Sequence, residues 1–113
     1  MTNVTRTVPL VSPHVNLGAN PSSSGQTQLV AAVANTKYRV LAIAIVATTA
    51  NAVKFQSASN DISATFPLGA NGGIVLPFNE HGWFDTNVNE ALNINMGTAT
   101  ATGVQIQYIK IAG

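Results

Sequence analysis

ALNINMGTATATGVQIQYIKI, residues 91–111, shows the clearest strand pattern of the chain, because the same alternation runs through both of its ends. Apolar residues at positions 92, 94 and 96 alternate with asparagines, and apolar residues at positions 104, 106 and 108 alternate with glutamines. A period of two puts one set of side chains on a buried face of a β-strand and the other on a wet face. Ile109 and Ile111 make the second face apolar too, so we expect that end to be buried on both sides.

Similar β-branched runs, separated by Gly, Asn, Ser and Pro, recur along the chain, whereas helical periodicity is hard to find. The predicted strands are residues 5–11, 26–33, 37–48, 53–58, 62–66, 73–76, 91–96 and 104–111. About eight short strands in 113 residues predict an all-β, single-domain sandwich or barrel. Residues 1–25 are predicted to form an N-terminal strand and an extended arm or loop, and residues 26–113 the sandwich body.

The segment RVLAIAIVATT, residues 39–49, differs from the other strands because neither of its faces is polar. Larger apolar residues alternate with alanines, so we expect a central strand that is covered on both sides. The alanine face leaves room for another layer to approach closely. That layer is either the second sheet of the sandwich or another subunit.

Charged residues make up only 8% of the chain, against roughly 25% in ordinary soluble proteins. The net charge is +1 and no basic cluster is present, which argues against nucleic acid as a partner. No apolar stretch approaches the about 20 residues of a membrane span, and the first residues lack the apolar core of a signal peptide. With no cysteine, disulfides and thiolate chemistry are excluded.

The segment GGIVLPFNEHGWFDT, residues 72–86, gathers Glu80, His81 and Asp85 beside the only tryptophan. A zinc site needs about three suitable ligands, and the chain has two histidines and no cysteine. No nucleophile elbow, phosphate-binding loop or sugar-cleft carboxylate pair is recognisable either. We therefore predict a protein that is not an enzyme and has no cofactor. The segment is expected to be two glycine-enabled turns around a strand that Pro77 ends.

The chain resembles small structural proteins of tailed bacteriophages over residues 39–111. The resemblance is strongest in FPLGANGGIVLPFNEHGWFDTNVNEALNINMGTATATGVQIQYIKI. The shared pattern is a Gly-Gly turn, an apolar strand ending in Pro-aromatic, a Gly-Trp-Phe loop, EALNIN and a final strand. The resemblance implies a jelly-roll β-sandwich and brings no catalytic residues. The positions that it implies are important for the fold are Gly72, Gly73, Pro77, Phe78, Gly82, Trp83, Phe84, Glu90, Ala91, Leu92 and Asn93.

The resemblance further implies a virion protein, made in the host cytoplasm and placed on the outer capsid surface. Its expected role is that of a capsid decoration or cement protein, a homotrimer that bridges major capsid subunits, with no nucleic acid or membrane partner. The residues expected at partner interfaces are Arg6, Val8, Pro9, Val11, Trp83 and Phe84. For the last two, closing one end of the core is the alternative role.

A second hypothesis is a carbohydrate-binding module on a tail fibre or head appendage, in which an exposed aromatic ring stacks on a sugar. Trp83, Tyr38 and Tyr108 are the candidate platforms. Burial of the tryptophan would count against it. A third hypothesis, a small hydrolase, is disfavoured by the scarcity of titratable groups.

Overall fold

The computed structural model describes residues 14–112, and every regular element among them is a β-strand. The strands are β1 (Val15–Ala19), β2 (Gly25–Val30), β3 (Thr36–Ala47), β4 (Asn51–Ser57), β5 (Asn60–Asp61), β6 (Phe66–Leu68), β7 (Gly73–Leu76), β8 (Phe84–Asp85), β9 (Leu92–Met96) and β10 (Thr102–Ala112). The described residues include no helix long and apolar enough to cross a membrane.

The strands form two antiparallel sheets. Sheet A has the order β1-β10-β3-β7, with β8 also on β3, and sheet B has the order β2-β9-β4-β5, with β6 also on β4. The short strands β7 and β8 follow each other along one edge of β3, and β5 and β6 do the same along β4. Counting each pair as one interrupted strand gives eight positions in the jelly-roll order, as predicted.

The core lies between the sheets and is built by the alternation seen in the sequence. The fully buried side chains include Tyr38, Ile45, Phe55, Ile94 and Ile106, contributed by four different strands. Because these strands point every second side chain inward, the residues in between form the two outer faces of the molecule.

A bulge interrupts the pairing of β3 with β10. Gln107 pairs with Ala42 and Tyr108 with Val40, so Leu41 is an extra residue in β3. Leu41 is buried, although it does not belong to the main core cluster. The amide of Asn79 donates to the Leu41 carbonyl at 3.0 Å, which shows that the chain following β7 lies against the bulge. A bulge of this kind redirects a strand and creates a local anchor.

The predicted strands at residues 37–48, 73–76, 91–96 and 104–111 are confirmed with small shifts of their ends. The strand predicted at 62–66 is wrong, because the Ser63 hydroxyl accepts the Phe55 amide at 2.8 Å in place of a backbone carbonyl. Sequence reasoning also missed β8, and it missed β1, which lies within the segment predicted as an arm or loop. The strand predicted at 5–11 lies outside the described residues.

Residues 39–49 were predicted to be a central strand covered on both sides, by the second sheet or by another subunit. β3 is central, and its isoleucines face sheet B through the core. Its alanine face, however, points away from the sandwich: Ala42 and Ala44 are half-buried and Val46 is exposed. The second sheet of the sandwich therefore does not cover the alanine face, and another subunit is the alternative that stays open.

Candidate functional site

The loop between β7 and β8, residues 77–83, is anchored on β3. The Trp83 amide donates to the Val40 carbonyl at 2.8 Å, and the Asn79 amide donates to the neighbouring Leu41 carbonyl at 3.0 Å. Within the loop, the Gly82 amide donates to the Asn79 carbonyl at 2.8 Å, and the Asn79 side chain accepts the His81 amide at 2.9 Å. This confirms the predicted reversal at Gly82 and leaves Glu80 and His81 exposed at its tip.

Gly82 is required by both its backbone and its surroundings. Its φ is 82°, in the left-handed region, and a Cβ there would lie 2.4 Å from Cγ of Arg39. The Arg39 guanidinium donates to both carboxylate oxygens of Asp85, at 2.9 and 3.1 Å, and Lys37 lies 3.5 Å from the same carboxylate. Gly82 therefore gives Arg39 the space to hold the far end of the loop.

This ion pair shifts the pKa of both partners. Partial burial on its own would raise the pKa of Asp85, but the hydrogen bond and charge of Arg39, with the charge of Lys37, outweigh it and lower that pKa. The pKa of Arg39 is raised by its hydrogen bond to Asp85. Both groups are charged at neutral pH, and their geometry is that of a bidentate structural pair.

Trp83 and Phe84 point to opposite sides of sheet A. Phe84 pairs with Val40, and its ring centroid lies 5.2 Å from that of Phe55 in the opposite sheet. Trp83 is 41% exposed, and its indole N–H donates to the Pro77 carbonyl at 2.9 Å. The position of Phe84 thus supports the capping alternative for that residue, whereas Trp83 presents part of its ring to solvent.

A second aromatic contact lies on the same loop. Phe78 is 53% exposed, and its ring centroid lies 5.6 Å from that of His14, just before β1. The two tyrosines proposed as sugar platforms are not available: Tyr38 and Tyr108 are buried and meet edge to face at 5.5 Å. Burial raises the pKa of both phenols. Among the three candidate platforms, only Trp83 remains at the surface.

Three of the four side-chain carboxylates, those of Asp61, Asp85 and Glu90, are used in structural contacts. No group of three His, Asp or Glu side chains within residues 14–112 could hold a metal ion. The Asp61 carboxylate accepts hydrogen bonds from Gln56 and Lys54, which lower its pKa in that order. The Glu90 carboxylate accepts the hydroxyl of the fully buried Ser57 at 2.5 Å. Ser57 has no histidine partner, so this pair does not make a nucleophile.

The outer face of sheet A is open. Lys37, Arg39 and Asp85 lie at one end of it, and the remaining part carries no charge. We name it the sheet A face and define it by the outward residues Asn16, Gly18, Ala42, Ala44, Val46, Gly73, Val75, Gly103, Gln105 and Gln107. Two shallow grooves of ≈ 340 and ≈ 300 Å³ cross it, and Ala44 and Gln105 line both. Val46 and Val75 project from it, with exposed fractions of 56% and 68%.

The outer face of sheet B is polar and its groups are bonded to one another. The side-chain carbonyl of Gln56 accepts the side-chain amides of Gln26 and Asn95, at 2.8 and 3.3 Å, and the side-chain amide of Gln56 donates to the Asp61 carboxylate at 2.8 Å. Lys54 donates to the same Asp61 carboxylate at 3.1 Å. Because these groups already have partners, displacing them would cost free energy. The two outer faces thus differ: the polar groups of the sheet B face are bonded to one another, whereas the sheet A face is made of small, apolar and amide side chains.

Of the six residues predicted at partner interfaces, the structure describes only Trp83 and Phe84; Arg6, Val8, Pro9 and Val11 lie outside the described residues. Sequence reasoning did not identify the sheet A face as a surface. A signal was nevertheless present, since alternating alanines in residues 39–49 indicate that something approaches closely, and the glutamines of β10 mark the same side.

No protein-family model and no curated protein matches this chain. Among solved structures, it is similar to a Bacillus endospore appendage protein from a family of disulfide-linked pili, at 15% identity and TM-score 0.49 over 98% of both chains. It is also similar to the extra small virus VLP of the giant freshwater prawn Macrobrachium rosenbergii, at 11% identity and TM-score 0.49 over 97% and 85% of the two chains. A third is the sugar-binding C-terminal domain of EclA, at 15% identity and TM-score 0.43 over 95% and 83%.

Proposed function

We propose that this protein is a non-enzymatic structural component of a bacteriophage virion, a capsid decoration or cement protein that bridges major capsid subunits on the outer head surface. In this role it acts as a homotrimer and needs no cofactor. The sequence resemblance supplies the virion context. The structural observation that carries the proposal is the uncharged sheet A face.

An uncharged sheet face with projecting valines is suited to protein contact. Burying it removes apolar atoms from water, worth about 25 cal/mol per Å². No ionised group has to lose its hydration, because none of the face's residues is charged. The polar face of sheet B, whose amides are bonded to one another, is suited to remain in water. The protein thus has one face for partners and one for solvent.

Two further regions are assigned to partner contacts within this proposal. Trp83 and Phe78 form an exposed aromatic edge beside the sheet A face, and aromatic side chains often provide much of the binding energy of an interface. Residues Arg6, Val8, Pro9 and Val11 are proposed as contacts of an N-terminal arm. Because many copies bind one shell, a modest free energy per copy is sufficient to stabilise the particle.

The proposal is tested by adding the purified protein to capsids of the encoding phage from which it has been removed. We expect saturable binding, threefold density on the outer head surface by cryo-electron microscopy, and increased resistance of the capsids to heat. Trp83→Ala is expected to weaken binding, whereas His81→Ala at the tip of the same loop serves as the matched control. Density at the tail, with bare capsid lattices, would reject the proposal.

The exposure of Trp83 favours one second candidate, a carbohydrate-binding module on a fibre or head appendage. The indole ring is held by its hydrogen bond to Pro77, so a flat apolar surface is fixed in place for stacking on a sugar. A glycan array with the wild-type protein and Trp83→Ala tests it. Binding that depends on Trp83 would support this candidate, and an array without signal would exclude it.

A further inference from the structure

We infer that the sheet A face binds a second copy of this chain about a twofold axis that runs parallel to the strands, between β10 and β3. The inference rests on the proposal that this face is a protein-contact surface, but not on the virion role. Its basis is the order of large and small side chains across the face.

The order follows from the strand register. Across the centre of sheet A, outward Gly103 lies beside Val46, Gln105 beside Ala44, and Gln107 beside Ala42. In every one of these pairs one side chain is large and its neighbour is glycine or alanine. Large and small residues also alternate toward the two edges of the sheet. Gly18 on β1 lies beside Gln105, and Val75 on β7 lies beside Ala44.

A twofold axis between β10 and β3 places β10 of one copy over β3 of the other. Each Val46 then faces Gly103 of the second copy, and Gln105 faces Ala44. At the edges, Val75 faces Gly18. Large side chains therefore meet small ones at each of these positions, which is the requirement for close packing of two layers about 10 Å apart. Such a twofold contact is isologous, using the same patch on both copies.

Electrostatics also favour a second copy as the occupant. Two identical faces can meet only if their charges do not repel. The residues that define the sheet A face carry no charge, and Lys37, Arg39 and Asp85 lie beyond them at one end of the same sheet. The outward glutamines can bond to each other or to water at the rim. A charged partner surface would gain nothing from this face, whereas an identical uncharged face loses nothing.

The size of the face sets the strength of the contact. Four strands about 4.8 Å apart and roughly six residues at about 3.3 Å each give on the order of 400 Å² per copy. Specific interfaces bury about 800 Å² per partner, so the pair is expected to form weakly in solution and to matter where copies are concentrated. In a shell of trimers, twofold contacts of this kind would connect neighbouring trimers.

The test measures self-association of the full chain at protein concentrations from roughly 10 µM to 1 mM. Sedimentation gives the mass of the associated species, and amide NMR shifts show which residues are in contact. We expect concentration-dependent shifts at residues 42–46 and 103–107 and none on the outer face of sheet B. Ala44→Lys places like charges at the centre of the contact and is expected to weaken association ~tenfold or more. Ala52→Lys is the matched control, since Ala52 is an exposed, outward alanine of the central strand β4.

Two additional arms complete the design. Val75→Lys replaces Ala44→Lys as the test variant if Ala44→Lys does not fold. It lies at an exposed edge position of the same face and is expected to weaken association as well. Mixing the Ala44→Lys protein with the Gln105→Asp protein should restore association, in pairs that contain one copy of each variant. In the inferred arrangement, position 44 of one copy faces position 105 of the other, so opposite charges meet. The inference is overturned by a protein that stays monomeric up to 1 mM, by shifts that map to sheet B, or by a mixture that does not associate. Capsid binding is measured separately, so each proposal can fail alone.

Discussion

The ring centroids of Phe55 and Phe84 lie 5.2 Å apart and connect the two sheets at one end of the sandwich. Phe55 is fully buried in sheet B, and Phe84 belongs to the two-residue strand β8 at the edge of sheet A. The adjacent Trp83 is 41% exposed, and its indole N–H donates to the Pro77 carbonyl. Neighbouring aromatic residues therefore have different roles, one in stability and one at the surface.

Phe84→Ala is expected to lower the free energy of unfolding by about 2–3 kcal/mol, because a half-buried ring is removed from between the sheets. Trp83→Ala is expected to cost less than about 1 kcal/mol, since mainly one hydrogen bond and partly exposed surface are lost. Urea denaturation followed by circular dichroism measures both. Equal losses would show that the two rings share one role, and Phe84→Leu should keep most of the stability.

Gly82→Ala is expected to lower the free energy of unfolding by about 2 kcal/mol or more, because backbone strain is combined with displacement of Arg39. Gly25→Ala is the matched control: its φ is 86°, but nothing lies within 4 Å of the added methyl group. The control should lose only about 1 kcal/mol. If both variants lose the same amount, the contact between Gly82 and Arg39 has no energetic weight.

Asp85→Asn is expected to cost about 1 kcal/mol at neutral pH, the range of well-oriented ion pairs near the surface. The pKa of Asp85 is lower in the folded state than in the unfolded state. Its stabilising contribution is therefore present above the unfolded pKa of about 4 and is lost as pH falls through the folded pKa. The difference between wild type and variant should shrink on acidification, as measured by thermal melts from neutral to acidic pH. A difference that is constant with pH would contradict this.

Ser57→Ala is expected to cost about 1–3 kcal/mol, because the buried hydroxyl both donates to Glu90 and accepts the Asn87 amide at 2.8 Å. The variant leaves the Asn87 N–H without that acceptor. A double-mutant cycle with Glu90→Gln separates the contribution of the pair from that of the single groups. Additive losses in the cycle would show that Ser57 and Glu90 act independently.

Much of the fold could be predicted because apolar and polar residues alternate along β9 and most of β10. The alternation at residues 91–96 and 104–111 determined both strands and their inward faces, and Pro77 correctly marked the end of β7. β1 could not be found in the same way. Its sequence, VNLGA, contains glycine and is surrounded by Ser and Pro, and it becomes a strand because β10 offers an edge to pair with.

The candidate surface was harder to predict than the fold. The alanines at 42 and 44 indicated close approach, but the sequence did not show which layer would approach. That choice depends on which strands cover which face, a property of topology. The direction of Trp83 also required the structure, because a two-residue strand such as β8 has too few residues to show a periodicity.

The position of β10 between β1 and β3 has a consequence for how the protein is made. Val15 pairs with Tyr108, so sheet A joins the two ends of the described chain through a strand that is synthesised after all the others. Pairings this distant in sequence make folding slow, because a long loop must close before they form. While the ribosome is still adding β10, β1 and β3 have a gap between them and the sheet A face does not exist. The inferred contact surface therefore arises only after β10 has been made.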